Sequence, residues 1–160
     1  MADGKTRKYS RIYAQLEGLL RQCPLPFARM ATINAILYHK MDSFSWIGFY
    51  LLHRGQLIVG PYQGPLACQV LEKNKGVCWA GINEQRIVIV PDVRAFPGHI
   101  ACDSRSRSEI VIPLRNSTGE ITGVMDVDSR LNDNFDVVDG GSLEKICSLI
   151  YTHEFIKDSV

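Results

Sequence analysis

The chain has 160 residues, 46% of them apolar and 22% charged, which fits one globular domain and excludes a disordered, collagen-like or disulfide-stapled chain. Eighteen basic and seventeen acidic side chains leave a formal charge of +1, so no bulk electrostatic force draws the chain to nucleic acid or to anionic membrane. No stretch approaches the ~20 apolar residues of a membrane span, and the polar start MADGKTRKYSRIYAQ lacks a secretion signal's apolar core, so a cytoplasmic protein is expected.

In chain order, Ile12, Leu16, Leu19 and Leu20 recur at helical spacing between Thr6 and Cys23, and Pro24 and Pro26 end that helix. A second helix carries Phe27, Met30, Ile33, Ile36 and Leu37 on one face and reaches about Met41. The period then changes to that of a strand. Ser45–Leu52 is aromatic and β-branched, Arg54-Gly55 is a turn, and Gln56–Gln63 returns as the second strand of a hairpin. Pro61 suits an edge or a strand end. Residues 64–76 are expected to be irregular, Val77–Asn83 a short helix, and Arg86–Val90 a short strand stopped by Pro91. A long connection from Asp92 to Ser108 precedes two further strands, Glu109–Leu114 and Ile121–Asp128, joined by the turn Asn116–Gly119. The last helix is expected from Phe135 to about residue 156. Terminal helices around strands that pair as hairpins predict an α+β fold, an antiparallel sheet with helices on one face and long connections on the other.

Three features can carry chemistry. The five cysteines cannot all pair within one chain, and a reducing cytosol disfavours structural disulfides. Cys23 and Cys147 fall in helical patterns and are expected to be buried, whereas Cys68, Cys78 and Cys102 lie in or beside connections rich in Gly, Pro and Ser. Cys102 is followed by Arg105 and Arg107, and backbone N–H groups with guanidinium charge nearby would favour the nucleophilic thiolate. An inert loop cysteine is the plain alternative. Cys68 and Cys78 are available as second thiols, which an oxidised cysteine needs to resolve its sulfenic acid. A zinc site from Cys68, Cys78, Cys102 and His99 competes weakly, because no closely spaced cysteine pair is present.

The third feature is acidic. Asp126 and Asp128 alternate on a strand and so share a face, with Glu109 on the neighbouring strand of the hairpin. Three crowded carboxylates repel one another, and at least one should hold its proton to higher pH. Such a cluster can grip an ammonium group and protonate a leaving oxygen; a solvated acidic sheet face is the plain alternative. Trp46 and Tyr50 are four apart on one strand face, with Tyr62 on the partner strand. These are core aromatics in the plain reading. Trp46 also suits a pocket wall, because an indole makes a favourable contact with a methyl-sulfur group.

Together, Trp46-Ile-Gly-Phe-Tyr-Leu51, Gly60-Pro-Tyr-Gln-Gly-Pro-Leu-Ala-Cys68, Gly76-Val-Cys78, Gly98-His-Ile-Ala-Cys-Asp-Ser104, Ser108-Glu-Ile-Val-Ile-Pro113 and Gly123-Val-Met-Asp-Val-Asp-Ser129 resemble the free methionine-(R)-sulfoxide reductases, which are single-domain GAF proteins. The resemblance runs from about Tyr13 to the last helix. It implies a GAF fold over residues 1–160, with a six-stranded antiparallel sheet and a loop-covered pocket. It implies that Cys102 attacks the sulfoxide sulfur, that Cys68 is the resolving cysteine, and that Cys78 is an alternative or secondary thiol. Glu109, Asp126 and Asp128 match the carboxylates that bind and polarise the substrate, and Trp46 the aromatic that packs on its methyl group. Tyr50, Tyr62, Ile100 and Ala101 complete the expected substrate-binding set, with backbone N–H groups near His99–Cys102 facing the substrate carboxylate. No metal or other bound cofactor is expected; reducing equivalents come from NADPH through thioredoxin, and a homodimer is expected by analogy. Trp79 departs from the family pattern, which has a glycine after Gly-Val-Cys. Two rival readings share the fold. A non-catalytic GAF sensor for a cyclic nucleotide or other small ligand leaves the loop cysteines without a use. A thiol redox sensor leaves the carboxylates and Trp46 without one.

Overall fold

The computed structural model describes residues 2–99 and 102–152. Two helices, α1 (Ala2–Leu20) and α2 (Pro26–Lys40), precede a hairpin of β1 (Trp46–His53) and β2 (Gln56–Gln63). There follow β3 (Val70–Leu71), α3 (Gly76–Glu84), β4 (Val88–Val90), a short 3-10 turn at Val93–Ala95, β5 (Ser108–Arg115), β6 (Ile121–Ser129) and α4 (Val137–Cys147). The six strands form one sheet in the order β3-β2-β1-β6-β5-β4, and every neighbouring pair is antiparallel. No helix among the described residues is long and apolar enough to cross a membrane.

Strand alternation divides the sheet into two packed faces. On one, Ile47, Phe49, Ile110, Ile112, Met125 and Val127 meet the buried stripes of α1, α2 and α4, as expected for terminal helices on one face. On the other, Trp46, Tyr50, Val111 and Val124 pack with Val77, Cys78 and Trp79 of α3. The loop-bearing face therefore has a helix of its own. In α2, Met30, Ile33 and Leu37 are buried but Phe27 is 58% exposed, so the apolar stripe is narrower than its spacing suggests.

Three boundaries differ from expectation. The segment 64–76 is not wholly irregular, since Val70 and Leu71 pair with Ile58 and Leu57. Pro61 lies beyond this short pairing, near the end of β2, where its missing N–H breaks no ladder bond. Cys23 falls outside α1 and is half-buried rather than core, because the chain turns after Leu20 with the Cys23 N–H donating to the Leu20 carbonyl. Cys147 is buried as expected. The last helix stops at Cys147 although Leu149 and Ile150 continue its apolar spacing. The chain tightens there into turns, with Leu149 N–H donating to Ile146 O and Ile150 N–H to Cys147 O. The buried guanidinium of Arg29 takes the Leu149 carbonyl at 2.5 Å and also donates to Thr152 Oγ1. Residues 153–156 of the expected helix lie outside the described residues.

Candidate active site

The sheet register assembles the acidic group. Asp128 of β6 sits between Trp46 of β1 and Glu109 of β5, and Asp126 lies two residues away on the same strand, between Gly48 and Val111. Period-two alternation sends all of these side chains to the α3 face. Glu109 and Asp126 are each 6% exposed. Burial, reinforced by the Asp126 and Asp128 charges, holds the Glu109 carboxyl protonated well above its usual range. Burial and the Asp126 charge do the same for Asp128, and burial raises Asp126 to about 6. The expectation of at least one raised carboxyl thus holds for all three, which retain protons as a group near neutral pH.

These carboxyls line a cavity with about 580 Å³ of empty space, part of it continuous with solvent. Trp46 and Tyr50 form one wall, α3 contributes Gly76, Val77 and Cys78, and the connection before β5 contributes His99, Cys102 and Ser106. Cys102 is exposed at the cavity rim. Its sulfur is joined to that of Cys68, with the two Cα atoms 5.7 Å apart. The weak zinc reading is thereby corrected, since Cys68 and Cys102 hold each other and have no thiolate to offer a metal.

The aromatics also position the cysteine loop. Trp46 Nε1 donates to the Pro65 carbonyl at 3.1 Å, and the Tyr50 hydroxyl donates to the Cys68 carbonyl at 3.1 Å. Tyr62 does not line the cavity; it stacks on Trp46 with ring centroids 5.5 Å apart, and Tyr50 stacks on Trp46 at 5.9 Å. Gly48 lies beneath this stack, where an added Cβ would stand 2.5 Å from both the Trp46 ring and Tyr62 Cβ. Only a glycine lets β1 pass so close under its own indole.

Several expectations are placed differently. The guanidinium of Arg105 is forked onto Asp103 at 2.9 and 3.0 Å, and Arg107 donates to the carbonyls of Ser104 and Ser106. Their hydrogen bonds are thus made to groups other than the Cys102 sulfur. Cys78 lies in α3, in the short helix expected over Val77–Asn83. Its thiol is buried, and burial with the Asp126 and Glu109 charges pushes it well above its ordinary pKa. Trp79 is 4% exposed in the same layer, and its Nε1 has no hydrogen-bond partner among the described residues. Ile100 and Ala101 lie outside the described residues. Sequence reasoning missed Ser106 and Lys75, both of which line the cavity. Neither carries a local pattern that separates it from ordinary loop polarity.

No protein-family model matches the sequence. Over 147 residues the chain is 42% identical to GAF domain-containing protein A of Dictyostelium discoideum, covering 91% of this chain and 92% of that protein. It is 39% identical over 128 residues to the free methionine-R-sulfoxide reductase of Saccharomyces cerevisiae, covering 76% and 71%. The chain belongs to the free methionine-R-sulfoxide reductase family. A family structure from Neisseria meningitidis, solved in complex with its substrate, superposes with a TM-score of 0.87 at 36% identity over 91% of this chain and 87% of that one. A GAF sensor protein from Burkholderia vietnamiensis superposes with a TM-score of 0.88 at 40% identity, covering 93% and 94%. The α+β GAF fold expected for a member of this reductase family is the fold found.

Proposed function

We propose that the protein reduces free L-methionine-(R)-sulfoxide to L-methionine through a Cys102 sulfenic acid and a Cys68–Cys102 disulfide. The observation that carries this reading is the position of that disulfide, at the mouth of a cavity whose buried side holds three carboxyls of raised pKa and whose wall is Trp46.

Each group then has a task. In the reduced protein the Cys102 thiolate attacks the sulfoxide sulfur, while a carboxylic acid of the trio protonates the sulfoxide oxygen. The new bond joins Cys102 Sγ to the methionine sulfur, and the protonated oxygen leaves as water. A water then attacks Cys102 Sγ, the S–S bond breaks with its electron pair on the departing methionine, and Cys102 is left as a sulfenic acid. Cys68 condenses with it, expelling water and forming the disulfide. A cytosolic dithiol such as thioredoxin, itself reduced from NADPH, returns both cysteines to thiols by exchange. No step requires a bound metal or flavin. Trp46 packs on the substrate methyl group. Tyr50 takes part by holding the Cys68 loop, and Tyr62 by backing Trp46. Cys78 is the secondary thiol, reached only when Cys68 is absent.

Selectivity for the free amino acid follows from buried charge. A carboxylate of the trio pairs the substrate ammonium, and backbone N–H groups near His99–Cys102 meet its carboxylate. A residue within a polypeptide has neither charge and would leave these groups unpaired. Steady-state NADPH oxidation with thioredoxin and its reductase tests the reading. Turnover is expected with the free R epimer and not with the S epimer or a peptide-bound sulfoxide. Equal rates with all three contradict it. Dimerisation through the terminal helices belongs to the same proposal and is tested by sedimentation.

A further inference from the structure

We propose that Cys78, Glu109 and Asp126 form a binding site for a borderline-soft divalent cation of the zinc class. The sulfur of Cys78 and one carboxylate oxygen from each of Glu109 and Asp126 all lie within 4.8 Å of one another, and all three residues are buried. A second, independent observation points to a missing ligand. Asp126 is 6% exposed and lines the cavity, yet its Oδ1 is buried without a hydrogen-bond partner among the described residues. Buried carboxylate oxygens are rarely left so.

The donor set selects the cation. One thiolate with two carboxylates is too soft for magnesium or calcium, which take oxygen alone, and suits zinc or cobalt(II). Tetrahedral zinc, with Zn–S about 2.3 Å and Zn–O about 2.0–2.2 Å, spaces its ligands by roughly 3.5 Å. Atoms that lie within 4.8 Å of one another therefore need to close by roughly 1 Å at most. All three residues line the cavity. His99 lines it as well, with its Nδ1 3.9 Å from Glu109 Oε2. Binding releases the Cys78 thiol proton and any carboxyl protons and involves no electron transfer. An ion here occupies two carboxylates that the reductase reading assigns to substrate, so the two ligands exclude each other. This gives Cys78 a use in the disulfide form, where Cys68 and Cys102 are bonded to each other and no thiol exchange calls on it.

The test uses the full-length disulfide form, in which Cys68 and Cys102 are already bonded and Cys78 is the only pocket thiol. Titration with cobalt(II) alone is expected to give a sulfur-to-cobalt charge-transfer band at one equivalent. The band should vanish in Cys78→Ser and persist in Cys23→Ser. Calorimetry with zinc alone should show at least a tenfold loss of affinity in Asp126→Asn, which also serves if Cys78→Ser fails to fold. Absence of the band, its survival in Cys78→Ser, or equal zinc affinity in Asp126→Asn overturns the proposal. Those results leave the reductase reading intact, because turnover is measured without added metal.

Discussion

Cys68 and Cys102, 34 residues apart in sequence, are joined through their sulfurs at the rim of the acidic cavity. The tie crosses two connections. One is held in place by Tyr50 and Trp46 through the carbonyls of Cys68 and Pro65, and the other leads into β5 and Glu109. Loop and sheet thus converge on one sulfur.

Replacing Cys102 with serine should abolish turnover, because a hydroxyl at neutral pH is a far weaker nucleophile than a thiolate. Cys68→Ser should lower steady-state turnover by roughly a hundredfold while leaving the first methionine release intact, since resolution follows the oxygen transfer. A rapid-quench burst of one equivalent in Cys68→Ser checks this; a lost burst there would make Cys68 essential to the first step.

Trp46→Ala should raise KM for the sulfoxide. Losing the sulfur–aromatic contact costs about 0.3–1.5 kcal/mol, or roughly two- to tenfold. Loosening the loop at Pro65 adds to this. Gly48→Ala should behave alike although it touches no substrate, because its Cβ displaces the same indole. Substrate-saturation curves of both variants provide the comparison.

The carboxyl trio makes a pH prediction about stability. Glu109, Asp126 and Asp128 bind protons more tightly folded than unfolded, so the native state carries more protons and stability falls as pH rises. The loss begins above the unfolded pKa, near 4, and continues through about 6 for Asp126 and higher for the other two. Below about pH 4 the opposite trend sets in, because Asp136, paired with Lys5, and Asp92, held at about 2 by Arg94, are lowered. The melting temperature should therefore fall from pH 5 to pH 8, and Glu109→Gln should flatten that slope. An unchanged slope in the variant would remove Glu109 from the account.

A separate clamp ties α1 to α4. The Asp139 carboxylate, 2% exposed, accepts from Tyr9 Oη at 2.8 Å, Lys5 Nζ at 2.7 Å and the Asp136 N–H at 2.9 Å. Asp139→Ala leaves the buried Tyr9 hydroxyl unpaired and should cost about 2–4 kcal/mol. Urea denaturation measures this. Activity well below the melting point should be unchanged, because Asp139 lies on the sheet face opposite the cavity.

Much of the fold was legible because its signals are local and periodic. Asp126 and Asp128 share a face by strand alternation alone, and the turns at Arg54-Gly55 and Asn116–Gly119 lie where the sequence places them. What escaped depends on distant partners. Two residues of β3 have no period to read. The end of α4 is set by Arg29, more than a hundred positions earlier. Tyr62 was placed correctly on the hairpin, but register alone does not tell a cavity wall from the layer behind it. Arg105 looked like charge for Cys102 until Asp103, two residues before it, was seen to hold its guanidinium.

A single turnover without reductant tests the central claim most directly. Reduced protein is mixed with free L-methionine-(R)-sulfoxide, quenched, and digested for mass spectrometry. One equivalent of methionine together with a peptide linked through Cys68 and Cys102 is the predicted result. Methionine release with Cys102 still a free thiol, or no release at all, would contradict it.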